Sequence, residues 1–127
     1  MKSLPAFLLA TGLAFAASVA GALEIEPFSA ETLAQAKQAD APIALHFHSN
    51  WCATCKLQVK AFEALRSDPQ LDMKLLVVDF DEDRATTRAF RVPVSGAVIV
   101  LHGEVERARV IGVTDRESLR ETLLKAF

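Results

Sequence analysis

The sequence predicts an α/β domain: a mixed central sheet with helices on both faces, in the order β-α-β-α-β-α-β-β-α. Three observations carry this expectation. Short apolar runs alternate with longer stretches of helical periodicity, which implies parallel strands joined by right-handed crossovers. The last two strand-like runs are separated only by a turn containing glycine, so they form a hairpin and give the sheet an antiparallel edge. After residue 22 no repeat, low-complexity tract or linker interrupts the pattern.

Leu23-Glu24-Ile25-Glu26 alternates and reads as a short first strand. Ser29 caps a helix that runs to about Ala39, where Asp40-Ala41-Pro42 stops it. Ile43 to His48 is a compact apolar run that fits a buried strand. A helix follows from about Cys52 to Ser67, ended by Asp68-Pro69. Met73 to Asp79 is a second buried strand, and a short helix spans about Asp83 to Phe90. Val92-Pro93 breaks the chain before the apolar run Ala97 to Leu101. His102-Gly103 turns it, and Glu104 to Ile111 returns as a partly exposed strand. Thr114-x-x-Glu117 is a capping box opening the last helix, with Leu119, Leu123 and Leu124 on its inner face.

The first 22 residues read as an address. Met1-Lys2-Ser3 carries one positive charge, an uncharged apolar run extends from Leu4 to about Ala22, and Ala20-x-Ala22 is a small-residue cleavage pattern. A secretory signal peptide over 1–22 and a domain over 23–127 are expected. The alternative is an N-terminal membrane anchor, since the run is nearly long enough to span a bilayer. Both place the domain outside the cytoplasm, where disulfides persist. Cleavage after Ala22 would leave 105 residues with 13 basic and 16 acidic side chains. A domain of that size buries about two-thirds of its unfolded surface and needs no metal or staple to fold.

Composition removes several function classes. Hydrophobic residues make up 51 % and charged residues 24 %, too apolar for disorder. The net charge of −2 offers no basic field for a nucleic-acid backbone. Two cysteines cannot build a disulfide scaffold. No Gly-rich phosphate loop and no Ser/His/Asp arrangement is visible.

The chemistry lies in Trp51-Cys52-Ala53-Thr54-Cys55-Lys56. Residues i and i+3 on a first helical turn share a face, so the two sulfurs can close a small ring. Cys52, at the helix start, faces unpaired backbone N–H groups and the positive end of the dipole, which favour the attacking thiolate. Cys55, one turn further in, suits the resolving role in disulfide exchange. Two other readings compete. A static disulfide closing so short a loop restrains the unfolded chain little. A Zn or Cu(I) module could draw on His46, His48, Cys52 and Cys55, which lie within ten residues of one another.

The order of elements, the Trp51–Lys56 motif after a buried strand, and Val92-Pro93 before the hairpin together resemble the thioredoxin superfamily over the whole of 23–127. The Trp-Cys-x-x-Cys-Lys form behind a secretion signal is most similar to periplasmic thioredoxin-like disulfide reductases. These include the C-terminal domain of the transmembrane disulfide reductase and the thioredoxins of cytochrome c maturation. The resemblance implies a thioredoxin fold with Cys52 as nucleophile, Cys55 as resolving thiol and a redox disulfide between them. It implies Trp51 as the aromatic shield and Pro93 as a cis-proline packed against the disulfide. Val92 would offer backbone hydrogen bonds to an extended substrate, and Gly112 would flank the groove. Without the resemblance, Pro93 reads only as an edge-strand breaker.

Departures from the family pattern are informative. Ala53-Thr54 stands where thioredoxin has Gly-Pro, and two extra residues lie near Ser95-Gly96, where a bulge is expected. His46 occupies the position of the family's buried acid, six residues before Cys52. It is a candidate proton relay for the resolving thiol, with a packed strand histidine as the alternative. His48 reads as a packed histidine. Asp79-x-Asp81-x-Asp83 reads as a turn and helix cap, since the later calcium-loop positions are Arg84 and Phe90.

The expected protein is a periplasmic thiol–disulfide oxidoreductase, a protein disulfide reductase in preference to an oxidase. The chain is too short for the helical insertion of the dedicated oxidase. No cofactor and no resident metal is expected. Its partners would be protein disulfides and a membrane-embedded electron donor, without nucleic acid, and it would act as a monomer.

Overall fold

The computed structural model describes residues 2–3 and 22–127. The expected signal peptide over 1–22 therefore lies outside the described residues, apart from positions 2, 3 and 22. Nine elements follow in the expected order: β1 Glu24–Pro27, α1 Ala30–Gln38, β2 Pro42–His48, α2 Ala53–Leu65, β3 Lys74–Asp79, α3 Arg84–Ala89, β4 Ala97–His102, β5 Val105–Ile111 and α4 Arg116–Leu124. The sheet order is β1-β3-β2-β4-β5. β3 pairs in parallel with both β1 and β2, β4 runs antiparallel to β2, and β5 closes the hairpin. Among the described residues no helix is long and apolar enough to cross a membrane.

Alternation along the central strands divides the core in two. Ala44, Leu75, Val98 and Val100 face α2 and α4, where Phe62, Leu65, Leu119 and Leu123 cover them. Ile43, Leu45, Phe47, Leu76, Val78 and Ile99 point to the opposite layer, against Leu33 of α1 and with Phe80 and Phe90 at its rim. β2 is buried on both faces, which is why it reads as a compact apolar run around His46. His46 falls on the α2 side of that strand and is fully buried, its ring edge-on to Phe62 at 5.2 Å.

The helix starts follow local chemistry. Ser29 Oγ accepts the Thr32 N–H at 3.2 Å and Asp83 Oδ1 accepts that of Thr86 at 3.0 Å. Asp79 Oδ1 accepts from the N–H groups of Asp81 and Glu82, so the three aspartates form a turn and a cap. α4 begins one residue later than the capping box suggests. Asp115, not Thr114, is its N-cap, because the Asp115 carboxylate takes both the N–H and the hydroxyl of Ser118. The bulge also moves: the register slips between Val100 and Leu101, opposite the extra residue Arg107, while Ser95-Gly96 forms the lead into β4.

An ion pair joins α4 to the turn after α2. Arg120 Nε meets Asp68 Oδ2 at 2.6 Å, and Arg120 also hydrogen-bonds Gln70. The Arg120 guanidinium, helped by the Gln70 N–H, holds the Asp68 carboxyl below its ordinary value. A carboxylate whose folded pKa is depressed stabilises the fold above its unfolded pKa, and that contribution is lost as pH falls through the folded value. Asp68→Asn should therefore lower Tm at pH 7. The gap to wild type should close below about pH 4. Thermal melts across pH test this, and a gap that persists undiminished in acid would remove the assignment. In the core, Leu123→Ala should cost about 2–5 kcal/mol in urea unfolding, since the side chain is fully buried against the sheet.

Candidate active site

The site sits where the buried strand β2 delivers the chain to the start of α2. Cys52 is the N-cap of α2, with φ −84° and ψ 111°, and its Sγ accepts the Cys55 N–H at 3.1 Å. That places the sulfur against one of the N–H groups a helix start leaves unpaired. Cys52 lies at the rim, 8 % exposed, whereas Cys55 is wholly enclosed. Both are free thiols, and the Cys55 thiol points at the Phe47 carbonyl at 3.9 Å.

Their environments push the two thiols apart. Burial alone would raise Cys52, but hydrogen bonds from Cys55, from Ser95 and from the N–H groups of Cys55 and Thr54 outweigh it, and its pKa is lowered. Burial, followed by the neighbouring Cys52, raises Cys55. The outer sulfur is thus the readier thiolate and the inner one holds its proton.

Trp51 is adjacent and 70 % exposed, its Nε1–H donated to Asp81 Oδ2 at 3.1 Å. Val94 and Ile111 are also exposed apolar side chains near the site in sequence. They precede Ser95-Gly96 and Gly112, which the Gly112 N–H joins by donating to the Gly96 carbonyl at 3.0 Å. Gly112 therefore borders the segment that carries Gly96.

Pro93 does not. All peptide bonds among the described residues are trans, including Val92–Pro93, and Pro93 is exposed. The expected cis-proline against the dithiol is corrected to Ser95. The reason is the two-residue excess. The Gly96 N–H already pairs with the Phe47 carbonyl at 2.8 Å, so the chain joins the sheet there and Pro93 falls outside it. Val92 is drawn into the other core layer, and its N–H is committed to the Thr87 carbonyl at 3.0 Å. Ser95 is buried, and its side chain is among the influences that lower both thiols. Gly96 has φ +90°, and a Cβ there would stand 3.9 Å from Cys55 Sγ and 3.5 Å from Thr54. Those are ordinary contacts, so it is the left-handed backbone that favours glycine there.

Gln58 was not singled out in the sequence. It lies one turn beyond Cys55 on the same face of α2 and is fully buried. Its Nε2 donates to the carbonyls of Gly96 and Val113, each at 2.9 Å. Its Oε1 is left to accept from His46 Nε2 at 2.8 Å. The amide orientation follows from the two carbonyls, and it assigns the His46 proton to Nε2. A polar residue in the inward stripe Cys55, Gln58, Phe62, Leu65 was the available signal.

His46 rests neutral. Burial lowers its pKa to about 4, with Gln58 opposing and His48 adding to the fall. This works against the proton relay expected for it. So weak a base is a poor acceptor for a thiol whose own pKa is raised.

The thioredoxin family model matches residues 22–125. A thioredoxin of Mycolicibacterium smegmatis is 26 % identical over 104 residues, covering 80 % of this chain and 89 % of that protein. The solved structure of Trxlp from Edwardsiella tarda superposes with a TM-score of 0.75 at 30 % identity, over 79 % of this chain and 98 % of that one. The Malassezia sympodialis thioredoxin, at 19 % identity and TM-score 0.70 over 81 % and 93 % of the two chains, shares the fold.

Gln58→Leu would leave the His46 Nε2–H and the Val113 carbonyl without their partner, while Gly96 keeps Gly112. Unmade buried bonds cost about 1–3 kcal/mol each, so urea unfolding should show a loss of about 2 kcal/mol or more. A loss under about 0.5 kcal/mol would mean these groups find other partners.

Proposed function

The chain belongs to the thioredoxin family and is a thiol–disulfide oxidoreductase with the Cys52/Cys55 pair, and from that premise we propose that it is an extracytoplasmic protein disulfide reductase. The observation that carries the chemistry is the asymmetric pair: an outer sulfur at a helix N-terminus, hydrogen-bonded by the N–H one turn on, and a buried partner beneath it. The Cys52 thiolate attacks a client disulfide. One client sulfur leaves as thiolate, and Cys52 is joined to the other. Cys55 then loses its proton and attacks Cys52 Sγ, releasing the second client thiol and leaving the Cys52–Cys55 disulfide. The client is reduced by two electrons and the dithiol oxidised by two.

The client's extended segment lies along Val94-Ser95 and Gly112, with Trp51 on the far side and Ile111 at the edge. This replaces Val92 as the backbone contact. The reducing direction is favoured by the connections between β2 and β4, which hold one helix each and no inserted helical unit. The site of action is favoured by the charged, apolar and small-residue pattern of residues 1–22. Recharging by a membrane-embedded dithiol donor completes the cycle.

Redox titration with thiol trapping tests the direction. A potential near about −270 mV is expected, and one near about −120 mV would make the protein an oxidant. Cys52→Ser should abolish reduction of a protein disulfide, whereas Cys55→Ser should accumulate the mixed disulfide on Cys52. The mature N-terminus should read Leu23 when the protein is recovered from the periplasm.

A further inference from the structure

Two ligating side chains beside the resolving sulfur have no task in disulfide exchange as described. A ring nitrogen of His46, a ring nitrogen of His48 and Sγ of Cys55 all lie within 4.8 Å of one another. The two rings meet edge-on, 5.5 Å between centroids. Among the described residues, three buried side-chain polar atoms lack a partner: His46 Nδ1, His48 Nδ1 and Ser49 Oγ. Two of these belong to this cluster. Buried polar atoms are nearly always paired, so two orphaned imidazole nitrogens side by side need a reason.

Gln58 supplies half of it. By fixing the His46 proton on Nε2, it turns the lone pair of Nδ1 free and holds the ring still. A metal-binding histidine is arranged this way, one nitrogen ligating while the other donates to a carbonyl oxygen.

We propose that His46, His48 and Cys55 of the reduced protein form a three-coordinate site for a monovalent copper ion, with two nitrogens and one sulfur. The donor set is soft, and imidazole and thiolate both suit copper. Structural zinc asks for four ligands, and Cys52 does not join this cluster. The ion has a way in: His48 lines an open cleft with Ile25, Pro27 and Val77, and Glu26 and Asp79 give its rim negative charge. Binding forms a copper–sulfur bond, and the Cys55 thiol proton leaves to solvent; copper stays monovalent and no electron moves. The same sulfur cannot also bond Cys52. Copper occupancy and the Cys52–Cys55 disulfide are therefore mutually exclusive. The site rests on the dithiol being reduced and not on the direction of electron flow.

Anaerobic titration of the reduced protein with Cu(I), against the chromophoric chelator bathocinchoninate, tests this. About one equivalent should bind, and the disulfide form should bind none. His48→Ala should weaken binding about tenfold or more while copper-free disulfide exchange stays at the wild-type rate, which also reports that the variant is folded. X-ray absorption should show two nitrogens and one sulfur around copper. A His48→Ala protein that binds as tightly as wild type, or a shell of two sulfurs, would place copper on the dithiol alone and overturn the proposal. So would the absence of binding. Loss of reductase activity in copper-free wild type would instead count against the proposed function and leave this site standing.

Discussion

The arrangement of the site depends on one buried amide. Gln58 joins α2 to three other parts of the chain: His46 on β2, Gly96 at the entry to β4, and Val113 after β5. Each of these carries something the dithiol needs. β2 delivers Cys52, the Ser95-Gly96 segment lies against Cys55, and the stretch after β5 brings Gly112 alongside Gly96. All three bonds run through a side chain with no contact with solvent, where the low dielectric strengthens them and makes their loss costly. An apolar residue of similar size would fill the space but could not hold these segments in register.

Around this amide the sheet does ordinary work. Its two layers of aliphatic side chains supply most of the driving force, at about 1.5–3 kcal/mol for each fully buried large residue. Polar elements of the surface contribute less. The Glu63–Arg66 and Glu106–Arg109 pairs are exposed, and such pairs are worth about 0–1 kcal/mol. Stability therefore lies in the layers, whereas the geometry of the site lies in a few hydrogen bonds that cross them.

The element order was legible because each strand and helix carries its own period and its own stop. Ser29 and Cys52 announced their helices, and β2 announced its double burial through a compact apolar run interrupted by His46. The cysteine pair was legible because its spacing has one helical meaning. What could not be read was register. Pro93 and Ser95 are two residues apart, and only the pairing of Gly96 with Phe47 decides which of them meets the sulfurs. Gln58 was hidden for a related reason: on a helix that also carries the exposed polar residues Lys56, Lys60 and Glu63, its burial depends on which face α2 presents. The partner of His46 and its lowered basicity likewise arise from the packing of α2 on β2, which no local pattern records.

The outer strands carry a further consequence. β1 has four residues and ends in Pro27, while β5 carries Glu106, Arg107 and Arg109 and is bent by the extra residue at Arg107. Arg109 reaches across to the Phe90 and Arg91 carbonyls. A short edge ending in proline and a bulged, charged one are poor templates for another strand. Among the described residues, the sheet is thus guarded at both margins against growing by addition of further strands.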